Sequence, residues 1–84
     1  MTKEELQEYI IRNSNIDFNY NSKRYGIERM PDNNGNYRIF FWEWYNEATA
    51  DNSYADFSEF EMNARIDGKS VIDILAKIDD ADVV

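Results

Sequence analysis

The stretch Tyr37-Arg38-Ile39-Phe40-Phe41-Trp42-Glu43-Trp44-Tyr45 constrains the fold of this chain more than any other. It is β-branched and aromatic almost throughout, which suits a pleated, largely buried strand. It is too short for a strong helix and follows a turn-rich segment, so it reads as the central strand of the only sheet. Alternation places Tyr37, Ile39 and Phe41 on one face and Phe40, Trp42 and Trp44 on the other. Only Arg38 and Glu43 interrupt the apolar run, whereas a sheet wet on one side alternates apolar with polar. Either both faces of this sheet are covered, or one aromatic face waits for a partner.

The flanking sequence supplies the other elements. Thr2 and Glu5 have the spacing of a capping box, and Leu6, Tyr9 and Ile10 fall on one stripe, so a helix of about three turns opens the chain. Asn13-Ser14-Asn15 ends it. Residues 16–20 alternate apolar and polar as a half-buried strand does, and Asn21-Ser22-Lys23 turns the chain into a second strand at 24–30 with Tyr25 and Ile27 facing the core. Gly26 there marks a bulge or a close approach. Asn34-Gly35 predicts positive φ angles in the next turn, and the aromatic strand completes a meander. Residues 45–52 lack periodicity and read as a loop. Asp56, or Ser53 before it, caps a short helix carrying Phe57, Phe60 and Ala64 on one face. Ile66 is an isolated anchor before an Asp67-Gly68 turn. Val71, Ile74, Leu75 and Ile78 have helical spacing, with Ser70 as a weak cap. The acidic tail Asp79-Asp80-Ala81-Asp82 opposes a helix dipole and is expected to fray. The predicted fold is a single α+β domain over residues 1–84, ordered α-β-β-β-α-α, its three-stranded antiparallel meander packed against helices. The first and last helices share one face, and the Phe57 helix either covers the other or leaves it open.

Composition removes much chemistry. The chain has no Cys and no His, hence no disulfide, no thiolate metal site and no ordinary general base. Residues 1–42 carry six acids and six bases, and residues 43–84 carry eleven acids and three bases, so the whole net charge of −8 arises in the second half. That field disfavours direct nucleic-acid binding and attracts basic protein surfaces, or simply keeps an aromatic domain dissolved. No segment has the length or apolarity of a membrane span or a signal peptide, so the expected location is the cytoplasm.

No motif for a cofactor or metal is present. Asp32-Asn33-Asn34-Gly35 fails the spacing of a calcium loop, and Gly68-Lys69-Ser70 lacks the first glycine of a phosphate loop. Glu43, between two tryptophans, is the one carboxylate placed for a raised pKa, but a glycosidase needs a second carboxylate and a cleft. No catalytic residue is therefore nominated. Protein binding remains: Trp42, Trp44 and Tyr45 make an aromatic centre, and Glu43, Glu47, Asp51, Asp56, Glu59 and Glu61 make an acidic rim. The opposing expectation is that the Phe57–Phe60 helix covers Trp42 and Trp44, since large exposed apolar patches are uncommon.

The helix-then-meander layout, the Tyr-rich strands and the closing stretch Phe57…Ala64-Arg65-Ile66-Asp67-Gly68-Lys69-Ser70…Ile74-Leu75 resemble small acidic proteins carried by phages and mobile elements of Gram-positive bacteria. Such proteins include anti-CRISPR inhibitors, some of which imitate nucleic acid with acidic surfaces. The resemblance implies a CRISPR effector or another nucleic-acid-binding protein as partner, with the carboxylates from Glu43 to Glu61 mimicking phosphates. The alternative is a homodimer formed through the aromatic face.

Overall fold

Thr2 Oγ1 accepts the Glu5 N–H at 3.1 Å and Glu5 Oε1 accepts the Thr2 N–H at 2.9 Å, the reciprocal cap that starts α1 (Lys3–Ile11). In the computed structural model, which describes Met1–Val84, Leu6 and Ile10 are buried and Ile11 is exposed. Asn13, at φ 60°, turns the chain out of the helix, a conformation Asn tolerates better than most residues.

The meander follows as β1 (Ile16–Tyr20), β2 (Lys23–Pro31) and β3 (Tyr37–Glu43). Asn21 and Ser22 both take positive φ (50° and 66°), the geometry of a two-residue turn whose twist matches its strands. The β2–β3 connection departs from the expected Asn-Gly turn. Only Gly35 is at positive φ, 81°, and the loop is organised by Asp32, whose Oδ1 accepts the N–H groups of Asn34 (2.8 Å) and Asn36 (3.0 Å).

Past β3 the chain makes one 3-10 turn (Glu47–Thr49) and pairs back on β3 as β4 (Ser53–Tyr54). Then come α2 (Phe57–Asn63), a hairpin of β5 (Arg65–Ile66) and β6 (Lys69–Ser70), α3 (Val71–Lys77) and β7 (Asp82–Val83). The main sheet therefore has five antiparallel strands in the order β4-β3-β2-β1-β7, and β5-β6 is a second, small sheet. This corrects two expectations: β2, not β3, is central, and the sheet is not the only one. The tail does not fray. Asp82 and Val83 pair with Asp17 and Ile16, and Asn15 and Val84 exchange backbone hydrogen bonds of 3.1 and 2.9 Å. The acids escape the dipole because α3 ends at Lys77, and Arg24 meets Asp82 at 3.2 Å.

All three helices lie on one side of the main sheet. Their buried side chains, Leu6, Ile10, Phe60, Ile74 and Leu75 among them, join Ile16, Phe18, Tyr25, Ile27, Ile39 and Phe41 in one cluster. Rings stack across the strands from Phe18 to Tyr25 (5.5 Å) and on to Phe41 (5.8 Å), and Phe60 meets Phe41 edge-on at 6.2 Å. Phe60 thus covers the Phe41 face, and the alternative in which its helix shields Trp42 and Trp44 is excluded. Phe40, Trp42, Trp44 and Met30 take no part in the core cluster. The second face of the sheet is left without a helix.

Candidate functional site

The uncovered face is built from the even-numbered residues of β2 and β3. Gly26 pairs with Trp42 and Glu28 with Phe40, while Arg38 pairs with Met30, so these side chains share one surface. Trp42 lies across Gly26, whose missing side chain gives the indole its place. Gly26 is therefore a close approach and not a bulge.

Trp44 continues the surface beyond the end of β3. Its backbone N–H donates to the Arg24 carbonyl at 2.8 Å, and its indole Nε1–H donates to Asp17 Oδ1 at 3.0 Å. Asp17 and Asp82 both meet the Arg24 guanidinium, at 3.7 and 3.2 Å, so the tryptophan is anchored to a charge cluster on β1, β2 and β7. Trp42 and Trp44 pack edge to face, 5.7 Å between centroids at 72°, and Tyr45 leans at 52° to Trp44, 6.4 Å away. Even with its nitrogen bonded, Trp44 stays 37% exposed.

Tyr45 is the strained member. It sits at φ 65°, a conformation that costs a bulky residue of order 1 kcal/mol or more, and its side chain is wholly exposed. Apart from the tilted contact with Trp44, nothing in the protein packs on it to repay that cost. The turn behind it is rigid: Thr49 Oγ1 accepts the Glu43 N–H at 2.9 Å and donates to the Asn46 carbonyl at 2.8 Å.

Between the three rings and the sheet lies an open depression of about 410 Å³, bordered by Asn15, Glu28, Met30 and Glu47 as well as the rings. No basic residue lines it.

Of the residues nominated from sequence, Trp42, Glu43, Trp44, Tyr45 and Glu47 come together here. Asp51 stands at the far end of the same face, near Arg38 and Phe40. Glu43 shares the strand alternation of Ile39 and Phe41, and its carboxylate meets Lys23 at 3.5 Å and the Asn46 amide at 3.2 Å. Asp56, Glu59 and Glu61 lie in the helical layer and are engaged there. Asp56 caps α2 by accepting the Glu59 N–H at 2.8 Å, and Glu59 accepts the Ala55 N–H at 3.1 Å. Glu61 holds Lys3 at 2.6 Å, and that hydrogen bond and charge raise the Lys3 pKa. The nominated acids therefore do not form one rim.

Sequence reasoning passed over Asp17, Arg24, Glu28 and Asp82. The alternation of β1 and β2 puts the first three on the face opposite Phe18 and Ile27, a readable signal. Asp82 has no such signal, since its strand exists only by pairing with β1. No three acidic side chains converge as a metal site requires, and no helix is long and apolar enough to cross a membrane.

No family model, no curated protein and no solved structure matches the chain. The geometry of the uncovered face is accordingly the ground for a functional reading.

Proposed function

We propose that the protein is a non-enzymatic binding module that docks a basic protein surface on its uncovered sheet face. The observation that carries this reading is the group Phe40, Trp42 and Trp44, standing on a face that no helix covers. Aromatic side chains of this kind supply most of the energy of protein interfaces. Glu28, Glu47 and Asp51 stand beside them without a salt bridge, whereas Arg24 is shared by Asp17 and Asp82, and Arg38 is bonded to Ser53. The net charge of −8 would speed encounter with a positive partner.

The most specific form of the proposal is an anti-CRISPR-like inhibitor from a phage or mobile element, its partner a CRISPR effector or another nucleic-acid-binding enzyme of the host. The positive groove of such an enzyme is a surface of the required sign. In this reading aromatic contact supplies affinity and the acids supply approach and orientation.

The test uses tagged wild-type protein, Trp44→Ala, and a variant with Asp56, Glu59 and Glu61 neutralised, each as bait in lysate of a CRISPR-bearing Gram-positive host. The expected result is capture of a nucleic-acid enzyme by the wild type and the α2 variant, but not by Trp44→Ala. Release by salt and by the enzyme's own nucleic acid is also expected. A stable homodimer that Trp44→Ala dissociates, with no such enzyme captured, would refute the proposal in favour of self-association.

A further inference from the structure

The depression beside Trp44 has a chemistry narrower than docking requires. Its walls are indole and phenol rings set at angles to one another, and a positive charge over such rings is attracted by their electron-rich faces. Glu28, Glu43 and Glu47 border it, and no Lys or Arg lines it. The ligand that answers both features is flat and cationic, with N–H donors for the carboxylates. That description fits a guanidinium: it stacks on aromatic rings, carries five N–H donors in one plane and remains charged throughout the physiological range.

We propose that this depression is a receptor for one arginine side chain of the docked partner. The guanidinium lies against the Trp44 and Tyr45 rings and donates to Glu28. The inference rests on the docking role of the same face and names the residue type that face recognises. It also gives the Tyr45 strain a purpose, because the positive φ holds the phenol out from the sheet to close one side of the receptor. An ammonium satisfies the charge but not the planar contact, so arginine is preferred to lysine.

The test follows the two tryptophan indole N–H signals by NMR while acetyl-arginine amide, acetyl-lysine amide and the neutral isostere acetyl-citrulline amide are titrated separately. Arginine is expected to shift the Trp44 signal saturably, lysine more weakly, and citrulline not at all. Glu28→Gln and Tyr45→Ala should each weaken arginine binding roughly three- to tenfold. The dispersion of their amide spectra verifies that each variant is folded. Glu61→Gln, in the helical layer, should change nothing. Absence of a saturable shift, or equal responses to arginine and citrulline, would overturn the receptor. A basic enzyme captured through Trp44 but indifferent to Glu28→Gln and to arginine would also overturn it, while leaving the docking face intact. Saturable arginine binding without any captured enzyme would support the receptor and count against the proposed function alone.

Discussion

The Trp42 indole rests on the backbone of Gly26, its cross-strand neighbour, and a Cβ built at position 26 would overlap its Cζ2 and Cε2 atoms. Replacing a strand glycine usually favours the strand by a few tenths of a kcal/mol or more, since glycine loses the most freedom on folding. Here the ring must move. Gly26→Ala is expected to destabilise the fold by about 1–3 kcal/mol, as overpacking does. In the Trp42→Ala background the same change should be neutral or stabilising. Urea unfolding of the two single variants and the double variant gives the coupling directly, and additive effects would show that the ring and the glycine do not constrain each other.

The two sides of the sheet should answer truncation very differently. Phe60 is fully buried between Phe41, Tyr54 and Phe57, so Phe60→Ala is expected to cost about 3–5 kcal/mol, a large share of the stability of so small a domain. Trp44→Ala removes a larger ring, but one that is 37% exposed and bonded only through Asp17. Its expected cost is about 1 kcal/mol, with the loss falling on binding instead. Thermal melts of both variants beside the capture assay separate the two roles.

Asn15 gives a test of what an unpaired buried acceptor costs the fold. Its Oδ1 is buried without a partner, so Asn15→Ala removes an uncompensated polar atom and should leave stability unchanged or raise it slightly. A marked destabilisation would mean that the amide holds the β1–β7 pairing, beyond the backbone bonds that Asn15 makes to Val84.

How much of this was legible in the sequence depends on the range of the interactions. Local codes were readable: the Thr2–Glu5 box, the alternation of residues 16–20, the Asp56 cap and the helical spacing of residues 71–77 all form as expected, although Ile78 is already extended. The short strands β4 and β7 were not, because two residues carry no period and their pairing is decided by the partner edge. The candidate face shows both cases. Alternation in β3 separated Trp42 and Trp44 from Phe41, but which side the helices would cover depends on Phe60 reaching Phe41, a contact that sequence spacing does not encode. Glu43 alternates with its tryptophan neighbours along β3, and it borders the same depression because the chain turns directly after it.

The pairing of the tail with β1 makes a separate prediction. Deleting residues 82–84 removes the Arg24–Asp82 contact and both backbone bonds between Asn15 and Val84, and it bares the outer edge of β1. An unpaired edge offers a template for another chain. The shortened protein should be less stable by about 1–2 kcal/mol and should form concentration-dependent dimers or larger species. Sedimentation at several concentrations checks this, and a strictly monomeric truncation would show that β1 needs no cover.

The pH dependence of stability follows from four groups and has opposite signs at the two ends. Burial, aided by the charges of Glu43 and Glu59, raises the phenol pKa values of Tyr25 and Tyr54 above the ordinary 10.0. The folded protein then keeps these protons at a pH where the unfolded chain has lost them. Their contribution is intact below about pH 10 and is lost as pH rises through the folded values. Lys3, raised from 10.5 by Glu61, acts in the same direction. Glu5 works the other way. The Thr2 backbone N–H and hydroxyl lower its pKa from 4.5, so its contribution is present above that value and lost as pH falls through the lower folded one. The urea midpoint should therefore decline above about pH 10 and below about pH 4.5. Tyr25→Phe with Tyr54→Phe should flatten the alkaline limb and leave the acid limb alone, whereas Glu5→Gln should do the reverse. An alkaline limb unchanged in the double phenylalanine variant would assign it to Lys3 and Glu61 instead.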